Sequence, residues 1–83
     1  MFTVYSKPSC PWCDRAKALL QSKNLANEEL ILDVGQEKDP SKKYVSLVEL
    51  KTAVPNAQSV PQILQDGKLI GGFTDLQKQL ASE

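Results

Sequence analysis

At 83 residues the chain has room for one domain, above the ~40 residues below which a disulfide or metal is usually needed to hold a fold together. Ten basic and ten acidic residues cancel, with no long run of either sign, which argues against a nucleic-acid or anionic-membrane surface. The apolar runs fall far short of the ~20 residues that span a bilayer, and the start MFTVYSKPS lacks the pattern of a signal peptide, so the expected compartment is the cytoplasm.

In chain order, Phe2-Thr3-Val4-Tyr5-Ser6 is β-prone and is closed by Lys7-Pro8-Ser9, which predicts a strand leaving the core for a loop. A helix is expected from about residue 11 to residue 23. Pro11 suits its first position, where the missing N–H costs nothing, and Ala16, Leu19 and Leu20 recur at helical spacing. Leu30-Ile31-Leu32 with Val34 reads as a second strand, buried on both faces. Asp39-Pro40 has the form of an N-cap and first-turn proline. Tyr44, Leu47, Val48, Lys51 and Val54 then predict one helix lasting to Pro55-Asn56.

From Pro61 the period changes. Pro61-Gln62-Ile63-Leu64-Gln65 and Lys68-Leu69-Ile70 flank Asp66-Gly67, the signature of a tight hairpin. After Gly71-Gly72, the stretch Thr74-Asp75-Leu76-Gln77 resembles a capping box with Thr74 as the cap, opening a last helix with Leu76 and Leu80 on one face. The order βαβαββα implies an α/β domain spanning residues 1–83: a parallel pair with a right-handed crossover, extended by the hairpin to a four-stranded mixed sheet flanked by three helices.

The chemistry concentrates in Cys10-Pro11-Trp12-Cys13. A zinc site lacks half its ligands, because structural zinc wants four and the chain offers two cysteines and no histidine. An inert disulfide is disfavoured in a cytoplasm that keeps ordinary thiols reduced. A reactive pair has a mechanism. With Pro11 as first helical residue, Cys10 is the N-cap, and free N–H groups and the helix dipole favour its thiolate. Lys7 can add a positive charge. Cys13, one turn on, lacks that end position, so Cys10 is expected to attack and Cys13 to resolve. Trp12 reads either as a cover for the helix start or as a flat wall beside the sulfur.

Three separated motifs then converge. Lys7-Pro8-Ser9-Cys10-Pro11-Trp12-Cys13, Ser59-Val60-Pro61 and Gly71-Gly72-Phe73-Thr74-Asp75-Leu76 fall in the order and spacing of a dithiol glutaredoxin, and the chain resembles the small bacterial and phage-type members along its whole length. The resemblance implies a thioredoxin-like fold and a glutathione-dependent thiol–disulfide oxidoreductase with no metal. Such an enzyme reduces protein disulfides and removes glutathione from proteins, as part of electron transport and redox homeostasis. It implies that Val60-Pro61 is cis, that the Val60 backbone pairs with glutathione, and that Thr74 and Asp75 hold its γ-glutamyl end beside Gly72 and Phe73. Lys7 matches a family residue near the glycine carboxylate.

Trp12 stands where tyrosine is usual, Ser59 where threonine is usual, and Gln58 where a basic residue is frequent in some members. The implied partners are glutathione and disulfide-bonded or glutathionylated proteins, met by a monomer, and some members serve ribonucleotide reductase. Two other readings compete: a glutaredoxin-like protein reduced by thioredoxin reductase, and a dimer bridging an iron–sulfur cluster through Cys10 and two glutathiones.

Overall fold

Alternation along Phe2-Thr3-Val4-Tyr5-Ser6 buries Phe2, Val4 and Ser6 on one face, and this strand becomes the centre of the sheet. The computed structural model describes residues 1–81. Its elements are β1 (Phe2–Ser6), α1 (Pro11–Ser22), β2 (Asn27–Leu32), β3 (Lys43–Val45), α2 (Leu47–Ala53), β4 (Gln62–Gln65), β5 (Lys68–Gly71) and α3 (Phe73–Ala81). The strands lie in the order β3-β2-β1-β4-β5. β1 runs parallel to β2, with Phe2 opposite Asn27, and antiparallel to β4, with Phe2 opposite Gln65.

Neighbouring residues of β4 point to opposite faces and enter different cores. Ile63 joins Phe2, Val4, Ala16, Leu20, Leu76 and Leu80, which places α1 and α3 on one side of the sheet. Leu64 joins Leu50, Val54 and Ala57, which places α2 on the other. The hairpin turns through Asp66 and Gly67, both with positive φ (51° and 83°), as the sequence predicts.

The sheet has five strands rather than the expected four, because the chain from Asp39 to Val45 is not helical. Asp39 does cap, but it caps a turn: its Oδ1 accepts from Ser41 N–H at 2.9 Å and from the Ser41 hydroxyl at 2.7 Å. The Ser41 N–H, more than any other group, holds the Asp39 carboxyl below its ordinary pKa. Lys43–Val45 then extends parallel to β2, with Leu30 opposite Lys43, and Val45 is buried. Helix α2 starts only at Leu47, behind a complete capping box in which Ser46 accepts from Glu49 N–H and Glu49 accepts from Ser46 N–H. Val34, read as part of β2, lies beyond it and is exposed. The last helix also begins earlier than Thr74: α3 opens at Phe73, with Leu76 N–H bonding the Gly72 carbonyl at 3.0 Å.

Where β1 ends, a polar knot ties it to α1 and β2. The hydroxyl of buried Ser6 donates to Glu29 Oε2 at 2.7 Å, and Lys17 Nζ reaches the same oxygen at 2.7 Å and Asp14 at 3.5 Å. Burial alone would raise the Glu29 pKa, but Lys17 and Ser6 overcome it and hold the carboxyl below its ordinary value. Burial would likewise lower Lys17, yet Glu29 and Asp14 hold its ammonium above the ordinary value. Glu29→Ala leaves the buried Ser6 hydroxyl without its acceptor and Lys17 with Asp14 alone, so we expect a loss of ~1–3 kcal/mol in denaturant titrations at neutral pH. A depressed carboxyl stabilises above its unfolded value and loses that contribution as pH falls through the folded one. The gap between the parent protein and the variant should therefore close on acidification below the ordinary value of 4.5, and a gap constant with pH would show that Glu29 acts by packing alone.

Candidate active site

Pro11 begins α1, and Cys10 before it takes the N-cap with extended backbone angles (φ −112°, ψ 98°). Cys10 Sγ accepts the Cys13 N–H at 3.2 Å, and the Cys10 carbonyl accepts the Asp14 N–H at 3.1 Å. The sulfur thus sits against a first-turn N–H that has no partner within the helix, at the positive end of the dipole. Asp14, the acid nearest that end, pairs with Lys17, which offsets its charge.

The two Cα atoms are 5.3 Å apart and the sulfurs are joined as a disulfide, so each lies within bonding reach of the other. Cys10 retains 7% exposure and Cys13 1%, which makes Cys10 the outer sulfur. Among the described residues, no group of three or more His, Cys, Asp or Glu is placed to hold a metal ion.

A third segment, just ahead of β4, closes on the sulfurs. The Val60–Pro61 peptide is cis, as the resemblance implies, and the Val60 carbonyl oxygen lies 3.9 Å from Cys10 Sγ. Beside it runs a groove of about 230 Å³ lined by Trp12, Ser59, Val60, Pro61, Gly72, Phe73 and Thr74. Residues from three distant stretches of chain therefore share one wall system. Trp12, half exposed, tilts at 47° against Phe73 with ring centres 5.5 Å apart. The Arg15 guanidinium lies over the Trp12 ring, 4.4 Å from its centre. The reading of the sequence did not single out Arg15. Its spacing of three from Trp12 on a helix was the available signal.

Two of the expected residues stand apart from that groove. Asp75 does not line it; its Oδ2 accepts the Gly72 N–H at 3.1 Å, at the start of α3. Lys7 lines a different cavity, of about 410 Å³, together with Ser6, Ser9, Lys17, Glu29 and Tyr44. The disulfide loop, groove and helix start form a site that can hold an extended thiol-bearing ligand against an exchangeable sulfur.

Comparison with known proteins gives a consistent picture. The Glutaredoxin family model matches residues 2–70. Glutaredoxin 3 of Escherichia coli strain K12 is 38% identical over 73 residues, covering 88% of this chain and 77% of that protein. The hybrid peroxiredoxin hyPrx5 of Haemophilus influenzae is 39% identical over 79 residues, covering 95% of this chain, which spans 29% of that longer protein. The dithiolic glutaredoxin 2-C-Grx1 of Trypanosoma brucei brucei superposes with a TM-score of 0.70 at 27% identity, over 98% of this chain and 77% of that one.

Proposed function

This chain belongs to the glutaredoxin family, and on that premise we propose that it is a glutathione-dependent thiol–disulfide oxidoreductase working through Cys10 and Cys13. The family's chemistry is thiol–disulfide exchange on a thioredoxin-like fold. Glutathione as the electron donor is the further step. The observation that carries it is the groove beside the sulfurs, with the Val60 backbone on one side and the start of α3 on the other.

An extended peptide thiol laid along Val60 can pair with its backbone as an added strand, while its carboxylate meets the N–H groups at Phe73–Thr74. Those are the roles given to Val60, Pro61, Gly72, Phe73, Thr74 and Asp75, with Trp12 as the wall over the ligand. The proposed substrates are glutathionylated and disulfide-bonded proteins of the cytoplasm, ribonucleotide reductase among them on grounds of family alone. Donor identity is tested by supplying reducing equivalents from NADPH through glutathione and glutathione reductase, or through thioredoxin reductase. Sustained disulfide reduction is expected with the first. Turnover only with the second would reject the reading.

The N-cap position makes a prediction about reactivity. Ordinary thiols titrate near ~8.5, whereas thiols at helix starts fall between ~3.5 and ~7.5. Alkylation of the reduced protein by iodoacetamide, followed against pH, should show Cys10 reacting with a midpoint well below the ordinary value. A midpoint near ~8.5 would remove the helix start as the source of activation.

A further inference from the structure

Glutathione is only one half of a mixed disulfide; the other half is a protein, which must meet the enzyme outside the groove. Trp12 stands at that boundary. Its ring, 52% exposed, forms part of the groove wall and leans on Phe73, while the Arg15 guanidinium lies 4.4 Å from the ring centre. Arg15 is itself exposed and does not line the groove. Among the described residues it forms no ion pair and no oxygen accepts from its guanidinium, so its five N–H donors are left to water or a ligand. The acids at the two helix starts are turned elsewhere: Asp14 pairs with Lys17, and Asp75 accepts the Gly72 N–H.

We propose that Arg15, held on Trp12, is a docking cation for protein substrates that carry an aspartate or glutamate two or three residues from the reacting cysteine. The inference rests on the reading of Cys10 as the exchanging sulfur and extends it to the protein half of the substrate. A free surface arginine loses rotamer freedom when it grips a carboxylate, whereas contact with the indole already restrains this one. The carboxylate then meets a planar fork that can donate to both of its oxygens. Tryptophan and arginine are also the side chains enriched among the few that dominate protein interfaces.

Spacing sets where the acid must lie. Arg15 is five residues beyond Cys10, or ~7.5 Å along the axis of α1 at ~1.5 Å per residue, and an extended substrate covers that distance in two to three residues of ~3.3–3.6 Å each. The other cations near the active-site loop are less suited. Lys7 lines a different cavity, and Lys17 is already engaged by Glu29 and Asp14.

The test uses peptides of one sequence in which Glu or Gln stands two or three residues before or after a single cysteine. Each is supplied as its mixed disulfide with glutathione and, separately, with 2-mercaptoethanol. Rate constants for consumption of these disulfides by the prereduced protein give a Glu-to-Gln ratio at each position. The unaltered protein should favour Glu by about twofold to fivefold at one or more positions, the range of an exposed ion pair. At the same positions Arg15→Met should bring the ratio to unity or below, Arg15→Lys should keep part of it, and Arg15→Glu should favour Gln. Because each ratio is taken within one variant, a smaller folded fraction cancels. Lys7→Met should keep the preference. No preference in the unaltered protein, a preference that survives in Arg15→Met, or one that disappears in Lys7→Met would each overturn the docking role while leaving the exchange chemistry in place. A preference intact with the 2-mercaptoethanol series but no reaction with the glutathione series would uphold Arg15 and overturn glutathione as the ligand of the groove. No reaction with either series would overturn Cys10 as the exchanging sulfur and the docking role with it.

Discussion

Cys10→Ser is expected to abolish every exchange activity of this protein, whereas Cys13→Ser should abolish only one of them. Removing glutathione from a mixed disulfide needs a single attacking sulfur. The Cys10 thiolate attacks the glutathionyl sulfur, expelling the protein thiolate, and a second glutathione thiolate then attacks the same sulfur, leaving oxidised glutathione and restoring Cys10. Cys13 takes no part. A disulfide within a protein is different, because attack by Cys10 releases one thiolate and leaves the second substrate sulfur bound to the enzyme. Cys13, close enough to be joined to Cys10 in the structure, attacks the Cys10 sulfur and frees the second substrate thiolate, so the two electrons that the enzyme thiols give up in forming the Cys10–Cys13 disulfide have passed to the substrate. Effective concentrations of well-placed intramolecular groups reach ~10⁵ M or more, so losing this step leaves trapped mixed disulfides. Mass spectrometry of each variant, with paired assays on a glutathionylated peptide and a disulfide-bonded protein, reads the split. Full deglutathionylation by Cys10→Ser would overturn the nucleophile. Full reduction of the protein disulfide by Cys13→Ser without glutathione would overturn the resolving role.

The parts of this machinery that were legible in the sequence are those set by local signals. Pro11 after Cys10 fixes a helix start, and Asp66-Gly67 fixes a hairpin, because each residue type satisfies a backbone requirement within one turn of chain. Strand β3 was not legible in that way. Lys43-Tyr44-Val45 is three residues long, and Tyr44 fell in step with a helical stripe that Asp39-Pro40 appeared to open. Its extended form comes from pairing with β2, a contact made at a distance in sequence. The correct local signal was present one step later, in Ser46-Leu47-Val48-Glu49, a capping box that outcompetes Asp39.

The site divides similarly. The cysteine pair announces itself by spacing, but the groove depends on β4 returning antiparallel beside β1, which brings Val60 to Cys10. Arg15 acquires meaning only once Trp12 leans on Phe73 from another helix. Local chemistry fixes where reactive atoms are made; tertiary pairing fixes what they face.

Asp75→Lys is the second change expected to have a large effect, and its neighbours show why. Asp75 lies in the first turn of α3 with Oδ2 on the Gly72 N–H, so one oxygen caps the helix and the other remains for a ligand's ammonium. Gly71, at φ +129°, leaves room for this carboxylate: a Cβ there would stand 2.8 Å from Asp75 Cγ. Lysine at 75 removes the acceptor and, on the proposed glutathione reading, sets a cation where the ammonium of the γ-glutamyl group would lie. Loss of a paired charge-assisted contact is worth ~1.5–3 kcal/mol, so kcat/KM for a glutathionylated peptide should fall roughly tenfold to a hundredfold while alkylation of Cys10 is unchanged. Loss of the cap should cost stability as well, by ~1 kcal/mol. Asp75→Asn separates the two roles, because an amide oxygen can still accept the Gly72 N–H but carries no charge. It should keep the stability and lose much of the ligand preference. Gly71→Ala approaches from the other side, displacing an intact carboxylate by steric conflict, and should reproduce part of the kinetic loss with the charge retained. Unchanged kinetics in a folded Asp75→Lys protein would reduce Asp75 to a helix cap and move recognition of the γ-glutamyl end to the backbone N–H groups of Phe73–Thr74 alone.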